Sequence, residues 1–231
     1  MRRRLWWSLV LFDSRIGEMA ADHRSTLLTP YGIPRPPEQV GALTADQTPL
    51  TEALFVVVRS EVADFVRHSA FHLDFTYLTS EDDFGDLTSL ERMMEEKYLK
   101  FTHLEIPFQF MATWMARGYL AEFLLMEHHS RYSTTCPTDD QRDTGICLAM
   151  RRLESDTKFM SSPLTRRYIW LLDFHLPFPA YVHIFQDLKR RPLCRHAGRA
   201  WKVLSDNFTI RSRAHAKLTP YRGGNPLHPR Q

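Results

Sequence analysis

Three residues with metal-binding chemistry lie close together in this chain: His128, His129 and Cys136. A protein zinc site needs ligands that converge, from spacings such as CxxC or HExxH. Neither spacing is present, and adjacent histidines on a helix point about 100° apart, so the pair reads as a solvated helix end. The acidic run Glu81, Asp82, Asp83 and Asp86 contains a glycine but lacks the alternating ligands and terminal glutamate of a calcium loop. It reads as a surface loop. No GxSxG elbow, glycine-rich phosphate loop or dinucleotide fingerprint occurs. Serine, histidine and aspartate are all available, but a triad is a geometry and not a linear order. The expectation is a protein that is not an enzyme, with no catalytic residue, no metal ligand and no cofactor of its own.

Phosphate chemistry has a better candidate in LKRRPLCRHAGRAWK. Lys189, Arg190, Arg191, Arg195, Arg199 and Lys202 could neutralise several phosphates. Cations at a helix C-terminus also satisfy its macrodipole, and the stretch joins two helices, so the structural reading is preferred. Lys189, Arg190, Arg195, Arg199 and Lys202 are kept as a candidate nucleic-acid or partner patch. Trp114, Tyr168, Trp170 and Trp201 sit at helical spacing and read as core, with a small-molecule pocket between helices as the alternative. Asp13 falls inside an apolar arc near Trp6, Leu9 and Gly17. A buried carboxylate must be paired, so an arginine from elsewhere is expected to reach it.

The elements that must hold these residues are helical. The chain has 231 residues, 43% hydrophobic and 12% aromatic, enough for one domain with a substantial core. Its net charge of +3 does not announce a nucleic-acid surface. Three widely spaced cysteines fit reduced thiols inside a cell better than a disulfide framework. Leu5, Leu9, Phe12 and Ile16 mark a first helix whose polar stripe is narrow, so it is expected to be covered on several sides. A second helix is predicted over 50–68, and a third, capped by Thr88 or Ser89, runs to about Lys100. A long apolar helix follows from Pro107 to about Ser130. CPTDDQRDTG reads as a turn-rich break before helical spacing resumes over 146–160. Ser162-Pro163 opens another helix, Pro177 and Pro179 reset the run into 180–188, and a last helix covers 195–210. The expected fold is all-α, an irregular bundle of about seven or eight helices over 1–210, with a basic flexible tail over 211–231.

Membrane readings are set aside. RRRLWWSLVLF imitates a signal peptide, but its apolar run is short and no small-residue cleavage site closes it. Residues 108–126 approach spanning length, yet Arg117 and Glu122 near the middle would each cost about 2.5–3.5 kcal/mol there.

RRRLWWSLVLFDSR resembles the opening signature of the fungal-specific transcription factor domain, the middle homology region of binuclear zinc-cluster regulators. The residues that carry it are Arg2, Arg3, Arg4, Leu5, Trp6, Trp7, Asp13 and Arg15. Further stretches follow in the family's order. LERMMEEKYLKFTHLEIPFQFMATWMAR is similar to its segment around "YL…P", with Ala116-Arg117 as the "AR". RRYIWLLDFHLPFPAYVHIFQDLKRRP is similar to its "W…A…L…RP", through Trp170, Ala180, Leu188, Arg191 and Pro192, and Ala200-Trp201 to its "AW".

The resemblance runs from Met1 to about Ile210. It implies a regulatory domain of a nuclear transcription factor, of a kind that often controls a biosynthetic gene cluster. Such regulators carry an N-terminal cluster of six cysteines holding two zinc ions, and three cysteines cannot build one. Zinc is therefore expected only in that cluster of relatives, and 1–210 is expected to be N-terminally incomplete. DNA would be reached only through a missing domain or a partner protein. Other transcription regulators, a small-molecule effector and a second copy of the chain are the remaining partner expectations. The alternatives are a helical small-molecule binder or enzyme on the same fold, or a truncated paralogue that does not bind DNA.

Overall fold

The computed structural model describes residues 87–132 and 136–218, without the side chains of 170–174 and 215–218. The two helices expected before residue 87, the motif residues Arg3, Arg4, Leu5, Trp6, Trp7, Asp13 and Arg15, with the pairing expected of Asp13, and the acidic run all lie outside these residues. Among the described residues the elements are α1 (Leu87–Lys97), a short 3-10 turn (Leu99–Phe101), α2 (Pro107–Tyr132), α3 (Asp139–Ser161), a 3-10 helix (Pro163–His175), α4 (Phe178–Arg190) and α5 (Ala197–Leu218). No strand occurs among them, so the described part is all-α. Six helices of any length are present there, five α and one 3-10, rather than the seven or eight expected of the whole chain.

α3 is the central post. Ile146, Ala149, Met150 and Leu153 bury one side of it against α2, α4 and α5, while Phe159 and Met160 bury another against Met111, Met115 and Ala214. Residues buried on both sides leave little of the helix for solvent. α2 owes its nearly continuous apolar sequence to the same crowding, with α1 packed on Ala112, Ala116 and Leu120. The two charges near its middle are paired: Arg117 with Glu95 at 2.7 Å, and Glu122 with Arg152 at 2.7 Å. Among the described residues no helix is long and apolar enough to cross a membrane.

Four boundaries differ from expectation. Thr88 and Ser89 lie inside the first turn of α1 instead of capping it. The expected break over CPTDDQRDTG is mostly helix, because α3 starts at Asp139 behind a capping box. The Gln141 N–H donates to the Thr138 side chain (3.3 Å), and the Thr138 N–H donates to the Gln141 side chain (2.8 Å). Asp139 and Asp140 add favourable charge in the first turn. The stretch after Ser162-Pro163 winds as 3-10, not α. Finally, α5 continues past Ile210 to Leu218, so 211–218 of the expected tail are helical. Burial of Arg211 and Ala214 against the core explains that extension.

The capping box carries a direct prediction. Thr138→Ala should lower unfolding stability by about 1 kcal/mol, read as a lower urea midpoint with an unchanged slope. An unmoved midpoint would mean that the cap contributes nothing to α3.

Candidate functional site

The most concentrated polar chemistry is buried where α2, α3, α5 and the 3-10 helix meet. Asp156 is its hub. Arg211 donates to both carboxylate oxygens, Nε to Oδ2 at 2.8 Å and Nη2 to Oδ1 at 2.6 Å. Asn207 Nδ2 donates to Oδ2 at 2.8 Å, and Arg152 Nη1 stands 3.8 Å from Oδ1. Arg152 in turn donates to Glu122 at 2.7 Å and to the His175 carbonyl at 3.0 Å. Tyr181 of α4 closes the set by donating to Asn207. Burial alone would favour neutral Arg152, but the charges of Glu122 and Asp156 outweigh it and hold the guanidinium above its usual range. Burial also pushes the Tyr181 phenol up to about 12. The adjoining cavity, lined by Trp114, Tyr119, Arg152 and His175, is about 20 Å³, the space of one water molecule. It cannot seat a substrate or effector, and the network acts as a cross-brace.

The basic stretch surrounds the turn between α4 and α5, and carboxylates hold most of it. Arg191 grips Asp187 with two nitrogens, Nε at 3.1 Å and Nη2 at 2.9 and 3.0 Å, and reaches Asp143 at 2.9 Å, tying the end of α4 to the start of α3. Arg195 meets Asp143 at 2.7 Å, Arg199 meets Glu154 at 2.8 Å, and Lys202 meets Asp206 at 2.9 Å. Burial disfavours the Asp143 charge, yet the Arg191 hydrogen bond and the charges of Arg195, Arg191 and His196 together keep its carboxyl below the ordinary range. Lys189 and Arg190 are exposed and make no ion pair among the described residues, and Pro192 is exposed in the turn. The open groove beside Arg191 and Pro192, about 480 Å³, is also lined by Asp139, Asp140 and Asp143. Three carboxylates make it a poor phosphate cradle.

Cys147, His196 and Asp143 come together without forming a triad. The same ring nitrogen, Nε2 of His196, lies 3.9 Å from Cys147 Sγ, 3.7 Å from Asp143 and 3.1 Å from the Arg195 Nε that donates to it. A relay needs the two ring nitrogens to serve different partners.

His128 and His129 are not simply a solvated helix end. His128 is buried and donates Nε2–H to the Gln141 carbonyl at 2.7 Å, and His129 Nε2 lies 3.0 Å from Nδ1 of His183 on α4. Cys136 stays exposed. Among the described residues, no group of three or more His, Cys, Asp or Glu is arranged to hold a metal ion. Gly145 of α3 makes room for the rings: a Cβ there would lie 2.7 Å from both His128 Cε1 and His183 Nε2. His183 stands 54 residues from His129, so sequence spacing gave no hint of this cluster.

Burial, then the neighbouring charges of His129, His128 and Arg191, lowers His183 from 6.5 to about 3. Burial and the charge of His128 also lower His129. Between those two pH values the unfolded chain binds the His183 proton and the folded chain does not, so stability falls as pH drops from about 6.5 toward 3. Above that window the group contributes no pH dependence. Urea midpoints measured from pH 7 down to pH 4 should fall less steeply in His183→Gln than in the wild type. Equal slopes would remove His183 as the cause.

Of the aromatic residues expected in the core, Trp114 and Tyr168 are partly buried, and Trp170 lies in the 3-10 helix. Trp201 is the exception: it is exposed, and so is Phe208 one stripe along. The inward stripe of α5 is instead Ala200, Val203, Leu204 and Asn207. A position one residue from a buried alanine is turned about 100° away from it.

Comparison with curated proteins finds three relatives that match along most of this chain. It is 49% identical to "Transcriptional regulator AacuB" of Aspergillus aculeatus, over 91% of the chain and 31% of that protein. It is 42% identical to "Transcriptional regulator nsrM" of Aspergillus novofumigatus, over 92% of the chain and 31% of that protein. Identity is 24% to "Aurofusarin cluster transcription factor aurR2" of Gibberella zeae, over 90% of the chain and 33% of that protein. The chain thus spans about a third of the length of the relatives it matches. No family model and no solved structure matches it.

Proposed function

We propose that this chain is a regulatory segment of a fungal transcription factor of the zinc-cluster type, acting in the nucleus on a biosynthetic gene cluster. The observation that supports it is the match, over nine-tenths of the chain, to proteins named as transcriptional regulators. The segment takes the middle homology region, residues 1–210, as its unit. Zinc and direct DNA contact belong to a six-cysteine cluster of the relatives or to a partner protein, because three cysteines cannot form it. No chemistry is asked of the segment. Its ion-braced helical body is suited to presenting surfaces to other regulators, or to a second copy of itself, and an effector would have to bind outside the water-sized core cavity.

Deletion of the encoding gene, followed by transcript profiling, tests this reading. The expected result is coordinated loss of transcripts from one biosynthetic cluster, restored by the reintroduced gene. A fluorescently tagged chain should accumulate in nuclei. Unchanged transcripts under conditions where the gene is expressed would overturn the proposal.

A further inference from the structure

We infer that His128 and His183 form a two-histidine site for a late first-row transition-metal ion, filled most tightly by copper, that clamps α2 to α4 across α3. His128 Nδ1 and His183 Nε2 are both shielded from solvent, and neither has a hydrogen-bond partner among the described residues. Trp114 Nε1 is the one other side-chain atom there in that condition. Buried polar atoms without a partner are few in folded proteins and point to a bound ion or solvent molecule. Here two of the three belong to facing rings, with His128 only 9% exposed. Gly145 lies beneath both. The point where its Cβ would stand is 2.7 Å from His128 Cε1, the atom bonded to Nδ1, and 2.7 Å from His183 Nε2. The two orphaned nitrogens therefore border the same point, above a residue with no side chain to occupy it.

The tautomers suit a metal. The His128 Nε2–H is held by the Gln141 carbonyl at 2.7 Å, so its Nδ1 carries a bare lone pair. His183 Nδ1 lies 3.0 Å from His129 Nε2, and with the Nδ1–H donating, His183 Nε2 is bare too. A ligating histidine binds its ion through one nitrogen and gives the other N–H to an acceptor behind it. Two imidazoles on one ion at 2.0–2.1 Å have ring centroids roughly 5–6.5 Å apart. Those of His128 and His183 are 5.9 Å apart. No third His, Cys, Asp or Glu of the described residues completes a ligand set, so water takes the remaining positions. A structural zinc site draws four ligands from protein. Copper(II) heads the affinity order of the divalent ions for nitrogen ligands, which favours it where only two are offered.

Copper(II) titrated into the 231-residue chain at neutral pH against a competing chelator tests this, and no assumption about transcription enters. The wild type should bind one equivalent more tightly than any other, with zinc weaker and magnesium inert. His128→Gln or His183→Gln should weaken that equivalent by about 100-fold or more, and His129→Gln, which alters only the acceptor behind His183, by about 10-fold. His103→Gln, exposed in the turn before α2, should change nothing. In the wild type itself, substoichiometric copper should broaden the imidazole NMR signals of His128, His129 and His183 before those of the other histidines. Electron paramagnetic resonance should count two coupled nitrogens. Both spectra read the site even where a variant fails to fold. Copper affinity unchanged in His128→Gln and His183→Gln, or other histidine signals broadened first, means an adventitious ion only and overturns the inference. So does a spectrum with no bound histidine nitrogen, which would leave the orphaned atoms to a bridging water molecule.

Discussion

Asp156→Ala should destabilise the protein by about 3–5 kcal/mol, the cost of leaving buried charge without its partner. Asp156 is 3% exposed and receives the full fork of Arg211, which is itself 6% exposed. Removing the carboxylate strands that guanidinium and takes one of two anionic neighbours from Arg152, whose other neighbour is Glu122. Asn207 loses an acceptor in the same step. Urea denaturation reads the effect directly, and a loss below about 1 kcal/mol would show that Asp156 is not the hub. Asp156→Asn should fall between, because the amide keeps one acceptor oxygen but no charge. Pairing Asp156→Leu with Arg211→Met should recover part of the loss, since replacing a buried ion pair with apolar side chains is often close to neutral.

Gly145→Ala should cost about 2 kcal/mol, although alanine is ordinarily the better helix residue by up to about 1 kcal/mol. The new methyl would overlap His128 and His183 at 2.7 Å. Neither ring can swing clear easily: His128 is held on the Gln141 carbonyl and His183 against His129. Overpacking of this kind typically costs about 1–3 kcal/mol. Adding His183→Ala should remove much of the penalty, giving a coupling energy that distant sites lack. If Gly145→Ala stabilises the protein by itself, the close approach of the three helices is not as described.

A good part of the helix map was legible beforehand, for local reasons. Pro107 and Ser162-Pro163 mark starts because proline needs no N–H partner in a first turn. Those signals act within a few residues of themselves. The Thr138–Gln141 box was equally local and was readable as T-x-x-Q, but the surrounding Pro, Asp and Gly residues suggested a turn instead. The extension of α5 could not be read locally. Ser, Arg, His and Lys after Ile210 look like solvated tail, and Asp156, 55 residues earlier, together with the His175 carbonyl makes Arg211 an inward residue.

The candidate patch fared differently from the helices. Its residues flank one turn, yet the charges of Arg195, Arg199 and Lys202 are free only in linear sequence. Asp143 and Glu154 lie on α3, 45 or more residues before Arg195 and Arg199, and the fold brings them within 2.8 Å. The neighbouring relatives add a functional reading that neither charge nor geometry supplies.

By itself, the sequence determined that the described part is helical, roughly where most of its helices begin, and which regulators it resembles. Those properties rest on caps, prolines, 3.6-residue periodicity and short motifs, all expressed within a turn or two of chain. The tertiary structure alone decided which buried charges meet, that His128 and His129 face His183 across Gly145, and that Trp201 points outward. Each of these depends on which helix returns to lie beside which, at contact distances of a few ångströms. Interactions that reach only one turn along a helix cannot specify that.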